Sequence, residues 1–153
     1  MMSRTANPTD IAELLRVINA AFSVERFFLD RDRIDADTLT NLMSKGRFLI
    51  AEDGGSITAC IYVEVRGEEG YFGLLSVDPA RQGGGLGKKM VIEAESYFKV
   101  SGCKTSTMRI VNLRTELPVF YAKLGYLVTG TEAFSGPVVP LQECHFINYA
   151  KSL

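Results

Sequence analysis

The sequence predicts one α/β domain, built on a mixed, mostly antiparallel sheet with one parallel strand–helix–strand crossover and helices on both faces. Segments with helical and strand periodicity follow one another in the order α-α-β-β-β-α-β-α-β-β. Short turns join the first three strands, which makes these strands antiparallel. A long helix separates the third strand from the fourth, and such a crossover is parallel and right-handed. Because the 153 residues contain no linker, we predict a single domain over 1–153.

Two helices are predicted near the N-terminus. Asn7 can cap the first helix and Pro8 suits its first position. Apolar residues then recur at helical spacing: Ile11, Leu14, Leu15, Ile18 and Phe22. The second helix is predicted over 36–45, with Asp35 as its N-cap and Gly46 at its end.

The middle of the chain reads as three strands followed by a long helix. The strands are predicted at residues 47–52, 57–65 and 71–77. Asp78-Pro79 ends the third strand, and a glycine-rich loop leads into a helix over 86–101 that Gly102 terminates.

The remaining segments complete the sheet. A strand is predicted over 105–111, and a short helix over 116–124 tolerates Pro118 in its first turn and stops at Gly125. Closing strands at 126–132 and 144–150 are separated by an irregular loop with two prolines, Pro137 and Pro140.

Composition excludes several classes of function. The net charge of −1 provides no basic surface for non-specific nucleic-acid binding. No stretch approaches the ~20 apolar residues that span a bilayer, and the N-terminus lacks a signal-peptide pattern. We therefore expect a cytoplasmic protein without a membrane partner. The three cysteines are predicted to be free thiols, and the lone Cys144-His145 pair predicts no metal site.

The segment over residues 82–88 carries the functional signal. Between a strand and a helix, it contains four glycines, which permit positive φ angles and close approach of a ligand to the backbone. Backbone N–H groups in such a loop converge on one anion, and the helix N-terminus adds about half a positive charge. The loop therefore predicts a phosphate or pyrophosphate site.

Two common phosphate-binding motifs do not fit this loop. A P-loop would need glycine at Gln82 and Ser or Thr at Lys89. The dinucleotide pattern would need glycine at Lys88 or at Met90. A plain turn that lets a helix pack on the sheet is the structural alternative, but three consecutive glycines are costly in conformational entropy.

The pattern that does match is Gln-x-x-Gly-x-Gly, at Gln82, Gly85 and Gly87. Here the chain resembles the GNAT superfamily of acyl-CoA-dependent N-acyltransferases. The preceding strand end, residues 75–79, and the Tyr-x-x-x-Gly-Tyr segment within 120–126 also resemble that family. The element order agrees over most of the chain, so the resemblance implies a GNAT-like fold.

The resemblance implies a cofactor site for acetyl-CoA, used as a co-substrate without a metal. The loop amides would hold its pyrophosphate, at Gln82, Gly83, Gly84, Gly85, Leu86, Gly87 and Lys88. The backbone of Leu75 and Val77 would pair with the pantetheine arm, which requires strand 71–77 to splay from strand 105–111. The amide near Leu75 would face the thioester oxygen. Asn112, just after strand 105–111, is the remaining cofactor-binding candidate.

The resemblance further implies direct transfer of the acetyl group to a primary amine. Tyr121 is the candidate general acid, with a core aromatic as the alternative interpretation. Strand 71–77 contains no acid, so the general base stays unassigned among five residues, for each of which a solvated surface charge is the favoured alternative: Glu25, Asp30, Asp32, Glu68 and Glu69.

Candidates for binding the acceptor are Glu25, Phe28 and Arg114. Arg114 could hold an acceptor carboxylate through its planar fork, or be a surface arginine at a helix start. We expect a small-molecule amine as acceptor and a possible homodimer. Polyamines, amino-acid derivatives, antibiotics and peptide amines all stay open. Two other functions compete: a CoA-binding sensor without catalysis, and an unrelated phosphate-binding fold.

Overall fold

The structure, a computed structural model, describes residues 3–153. Its strands are β1 Arg4–Thr5, β2 Arg47–Asp53, β3 Ser56–Arg66, β4 Glu69–Val77, β5 Thr105–Val111, β6 Leu127–Ala133 and β7 His145–Ser152. Its α-helices are α1 Ile11–Ala21, α2 Ala36–Lys45, α3 Leu86–Val100 and α4 Leu117–Lys123. The strands form one sheet in the order β1-β2-β3-β4-β5-β7-β6, in which only β4 and β5 are parallel. The predicted mixed α/β fold is confirmed.

The helix ends follow the local signals in the sequence. Asn7 forms a capping box with Asp10, but the first turn, Pro8–Asp10, is a 3-10 helix that precedes α1. The Asp35 side chain accepts a hydrogen bond of 2.8 Å from the amide of Thr38, which caps α2. Gly102 follows α3 with a φ of 87°. Each of these interactions lies within a few residues, which is why the sequence predicts them.

The strand ends differ from the prediction by at most two residues, and one strand was not predicted. The short strand β1, which pairs with Leu49 and Ile50 of β2, was not predicted. Two residues are too few to show the alternation of apolar and polar side chains that marks a strand. Strand β4 begins at Glu69 rather than Tyr71 and therefore contains one acid, at the end where it pairs with β5.

Helices cover both faces of the sheet, and each face has its own apolar cluster. On one face, α3 and α4 pack on the sheet through residues such as Met90, Phe98, Phe72 and Tyr121. On the other face, α1 and α2 pack through Leu14, Ile18, Leu39 and Phe48. None of the helices in residues 3–153 is both long and apolar enough to cross a membrane.

A buried polar group also fixes α3 to the sheet. The Tyr126 hydroxyl donates to Glu95 of α3 at 2.7 Å and lies 2.7 Å from the Ser106 hydroxyl of β5. Lys151 of β7 donates to both oxygens of the same carboxylate at 3.1 Å. Because these bonds link α3 to β5 and β7, they help to fix the orientation of the helix whose N-terminus carries the glycine loop.

The parallel strands β4 and β5 separate soon after they meet. Their only register pairs are Glu69 with Thr105, Gly70 with Ser106 and Tyr71 with Thr107. The register of β4 against β3 shifts beyond Gly73, and Leu74 adopts a φ of 51°, a left-handed value that is rare for a leucine. The remainder of β4 therefore has no strand partner on the β5 side, which confirms the predicted splay.

The part of β4 that is paired with β5 depends on a glycine, Gly70, for its packing. A Cβ atom built at Gly70 would overlap the ring of Phe98, so α3 lies directly against the β4 backbone. We expect Gly70→Ala to lower the free energy of unfolding by about 1–3 kcal/mol through overpacking. Gly130→Ala, on the edge strand β6 where a Cβ meets no atom within 4 Å, is the control and should change it little. Urea denaturation of both variants measures the difference.

Candidate active site

The glycine loop is exposed at the start of α3. Gly83 and Gly85 have φ values of 89° and 79°, and a Cβ atom at either position would meet nothing within 4 Å. The first helical hydrogen bond runs from the Lys89 amide to the Gly85 carbonyl at 3.1 Å, so the amides of residues 86–88 have no partner within the helix. Open space in front of unpaired amides fits a pyrophosphate.

Side chains around the loop hold it in this shape. Asp78 accepts from the Ala80 amide at 3.0 Å and from Arg16 of α1 at 3.2 Å. The Gln82 side chain donates back to the Val77 carbonyl at 3.4 Å. Because Gln82 is tied to the end of β4, the motif glutamine connects the loop to the splayed strand.

A large cleft opens between the splayed strands. Its volume is about 1160 Å³, and its walls are residues 71–75 of β4 and 108–111 of β5. Residues of α1, the 29–36 segment, α4 and the 134–138 loop enclose it. Since single small-molecule sites typically measure about 300–1,000 Å³, the cleft has room for two reactants side by side.

Five of the sequence-predicted candidates line this cleft: Leu75, Tyr121, Glu25, Asp32 and Arg114. The loop residues 82–88 and Val77 do not line it; they lie at the N-terminus of α3, where Gly87 and Val77 face each other. The structure therefore brings the predicted residues into two groups, one at the loop and one in the cleft.

Asn112 and Phe28 belong to neither group. The Asn112 side chain accepts from the His145 amide at 2.8 Å and thereby joins the end of β5 to β7. The Phe28 ring is fully buried against Val111 and Phe146. Neither residue lines the cleft, and both support the wall formed by the end of β5.

Tyr121 combines a buried ring with an available hydroxyl. The ring packs among aromatic side chains, with centroid distances of 4.9 to 6.4 Å to Phe120, Tyr126, Phe72 and Tyr149. No side-chain N or O atom in residues 3–153 is both fully buried and unpaired, and the Tyr121 hydroxyl has no partner in that range, so it is open to the cleft. Burial raises the pKa of Tyr121, so the hydroxyl keeps its proton.

The five candidate acids are separated by the fold. Glu25 and Asp32 line the cleft. Glu68 and Glu69 lie at the start of the segment in which β4 and β5 are paired, and Glu68 forms an ion pair with Lys104 at 3.1 Å. Asp30 is exposed and 3.7 Å from Arg26. Only Glu25 and Asp32 are therefore placed to meet a group bound in the cleft.

Glu25 and Arg114 form an ion pair in the cleft wall. Arg114 donates through Nη1 to Glu25 Oε2 at 2.8 Å and through Nε to Glu116 Oε1 at 2.6 Å. Burial lowers the pKa of Arg114, but the bonds to Glu116 and Glu25 outweigh it and the pKa is raised. Two of the three guanidinium nitrogens are thus already bound to carboxylates.

Sequence reasoning missed Tyr71 and the bulge at Leu74. Both line the cleft, and Tyr71 lies over Gly73, where a Cβ atom would be 3.1 Å from its hydroxyl oxygen. The Arg66 guanidinium lies 4.2 Å from the Tyr71 ring centroid. No motif marks these residues, since a leucine at positive φ leaves no sequence signal. In the described range, no group of three or more His, Cys, Asp or Glu residues is arranged to hold a metal.

The family of the chain follows from its sequence match. The family described as "Acetyltransferase (GNAT) domain" matches residues 44–128, more than half of the chain, and this span contains the strands of the splay and the glycine loop. The chain belongs to the GNAT acetyltransferase family. This excludes an unrelated phosphate-binding fold. No curated protein matches the sequence significantly.

Solved structures share the fold at low identity. The ribosomal-protein-S18-alanine N-acetyltransferase of Escherichia coli is 15% identical, with a TM-score of 0.80 and coverage of 99% of this chain and 92% of that one. The Salmonella typhimurium protein yncA, solved with its cofactor acetyl-CoA, is 19% identical, with a TM-score of 0.76 and coverage of 100% and 94%. An N-acetyltransferase of Staphylococcus aureus is 16% identical, with a TM-score of 0.78 and coverage of 99% and 97%.

Proposed function

We propose that this protein transfers the acetyl group of acetyl-CoA to a primary amine of a small molecule. The observation that carries the proposal is the continuity of two features. An anion-binding loop at the start of α3 follows directly from β4, a strand whose unpaired edge forms one wall of the cleft. A loop and a strand edge that follow one another in this way suit a long substrate with a diphosphate at one end and a reactive group at the other.

Acetyl-CoA supplies an activated thioester, and the residues of this chain bind and orient it. The amides of residues 82–88 hold the diphosphate. The backbone of Leu75 and the amide of Val77 hydrogen-bond to the pantetheine arm as a neighbouring strand would. The yncA structure, which shares this fold and holds acetyl-CoA, supports this choice of ligand.

The proposed chemistry is a direct acyl transfer. The neutral acceptor amine attacks the thioester carbonyl, a C–N bond forms and the C–S bond breaks. The Leu75 amide donates to the carbonyl oxygen as negative charge develops there. Tyr121 donates its proton to the departing sulfur, the amine nitrogen loses its proton to water in the cleft, and a proton from that water restores the Tyr121 hydroxyl. The raised pKa of Tyr121 keeps this proton available in alkaline solution.

The walls around the cleft favour a small acceptor. The α1 helix, the 29–36 segment and the 134–138 loop surround the space beside β4. The E. coli neighbour acts on the alanine of a ribosomal protein, so a peptide amine is the contrasting acceptor class. A free amine and an N-terminal peptide should therefore be compared directly.

A CoA-binding sensor without catalysis is the second candidate function. Residues 71–77 of β4 contain no acid, so the cleft has no base on the strand that faces the thioester. The candidate acids that do line the cleft, Glu25 and Asp32, lie outside this strand.

Turnover separates the two functions. Purified protein is mixed with acetyl-CoA and a panel of small amines and alanyl peptides, and thiol release and acetylated product are measured. We expect amine-dependent thiol release, with a rate that rises with pH as the amine, of pKa near ~10, loses its proton. Tight acetyl-CoA binding without product for any amine would instead establish the sensor.

A further inference from the structure

A buried carboxylate with a spare oxygen lies in the wall of the cleft. The Glu25 side chain is only 8% exposed, and its Oε2 atom accepts from Arg114 at 2.8 Å. Its Oε1 atom has no hydrogen-bond partner among residues 3–153, and the residue lines the cleft. Because no side-chain N or O atom in this range is both fully buried and unpaired, Oε1 is open to the cleft, where a donor on a bound molecule can replace its water.

The charge around Glu25 is negative. Arg114 lies between Glu25 and Glu116, so one guanidinium faces two carboxylates and the formal charge of the three groups is −1, although Glu116 is 63% exposed and its charge is screened. Arg114 is also 14% exposed, which limits the space for a third carboxylate at its remaining nitrogen. The space beside Glu25 is therefore better suited to a cation than to an acceptor carboxylate, which the sequence had suggested as a ligand of Arg114.

Other charges in the cleft do not reverse this preference. Arg16 and Arg109 bind carboxylates of Asp78 and Glu132 at 3.2 Å. Arg31 and Arg33 line the mouth but are exposed, and charges in water are screened and contribute little. Asp35, also in the lining, is exposed and screened in the same way, and Asp32 is paired with Arg26 at 2.7 Å.

We propose that the acceptor carries a second cationic group besides the amine that reacts, and that Glu25 Oε1 accepts a hydrogen bond from it. The inference rests on the proposed function, and it narrows the class of acceptor to amines that resemble diamines. Arg114 is the positioning residue, since its bond to Oε2 leaves Oε1 directed at the cleft. The reacting amine lies nearer β4 and Tyr121, and Glu25 binds the opposite end of the molecule.

Three amines with equal chain length test the charge preference. They are 1,3-diaminopropane, 3-aminopropan-1-ol and β-alanine, whose second groups are cationic, neutral and anionic. Acetyl transfer to each is measured as kcat/KM, and binding of each to CoA-saturated protein is measured by calorimetry. We expect 1,3-diaminopropane to be preferred over the alcohol by roughly 10- to 100-fold, the range for a hydrogen bond to a charged group, and β-alanine to be the poorest.

Glu25→Gln should remove the preference. The variant keeps the shape but not the charge, so we expect KM for 1,3-diaminopropane to rise roughly 10- to 100-fold while KM for the alcohol and for acetyl-CoA stay unchanged. Glu132→Gln is the matched control, because it neutralises the partner of another cleft arginine, Arg109, from outside the cleft. It should leave the preference intact.

Folding of the variant must be controlled, because Glu25→Gln leaves Arg114 with one partner fewer. The double variant Glu25→Gln/Arg114→Gln restores a neutral hydrogen-bonded pair, and it should fold and show the same loss of preference. Equal use of the diamine and the alcohol by the wild type, or a preference that survives in the folded double variant, would overturn the inference. If the diamine binds in a Glu25-dependent manner but no amine is acetylated, the proposed function fails while this inference stands.

Discussion

Gly85→Val is expected to abolish acetyl-CoA binding while the domain stays folded. Gly85 has a φ of 79° at the N-cap of α3, and its missing side chain leaves open space in front of the loop amides. A branched side chain would occupy the space assigned to the diphosphate and resist the left-handed backbone. Loss of several hydrogen bonds to a charged group predicts an affinity at least ~100-fold weaker, measured by calorimetry.

Gly102→Val is the matched control for this loss. Gly102 has a φ of 87°, ends the same helix and also has no atom within 4 Å of a built Cβ. Both variants should lose about 1–2 kcal/mol of stability from the same backbone strain. Only the loop variant should lose acetyl-CoA. If both bind it normally, the diphosphate lies elsewhere and the assigned loop is wrong.

Tyr121→Phe should lower kcat by about 100-fold, near the lower limit for a general acid because a thiolate is already a reasonable leaving group. The free energy of unfolding should stay within about 0.5 kcal/mol, since the hydroxyl has no hydrogen-bond partner in residues 3–153. KM for acetyl-CoA should not change, because the ring remains. Single-turnover kinetics measures the chemical step directly.

Tyr126→Phe provides the comparison within the same aromatic cluster. Its ring lies 6.0 Å from that of Tyr121, but its hydroxyl bonds to Glu95 and Ser106 inside the protein. We expect this variant to lose about 1–3 kcal/mol of stability by leaving buried partners unsatisfied, with kcat unchanged. If the Tyr121→Phe variant has the same kcat as the wild type, the Tyr121 hydroxyl is not the general acid and the residue only packs in the core.

Much of the fold could be predicted because its signals are local. The caps at Asn7 and Asp35 bond to residues two or three positions away. Gly102 and Gly125 end helices in a conformation that glycine adopts without strain. The loop over 82–88 was recognisable for the same reason, since consecutive glycines before a helix place unpaired amides in one short segment.

The acceptor side of the site was predicted less well, because it depends on distant segments. Phe28 was a candidate for binding the acceptor but packs behind the cleft wall with Phe146. Glu25 and Glu69 looked equivalent in the sequence, yet one lines the cleft and the other lies in the segment in which β4 and β5 are paired. The sequence around a charged residue does not show whether its side chain is solvated at the surface or buried in the wall of a cleft.

The sequence by itself determined the alternation of strands and helices, the helix ends and the glycine loop, because hydrophobic period, capping and glycine conformation act between near neighbours. Only the tertiary structure decided where β4 leaves β5, the left-handed Leu74 and the bond between Glu25 and Arg114, residues that are 89 positions apart. These features arise from packing of distant segments against one another, and packing has no signature within any one of those segments.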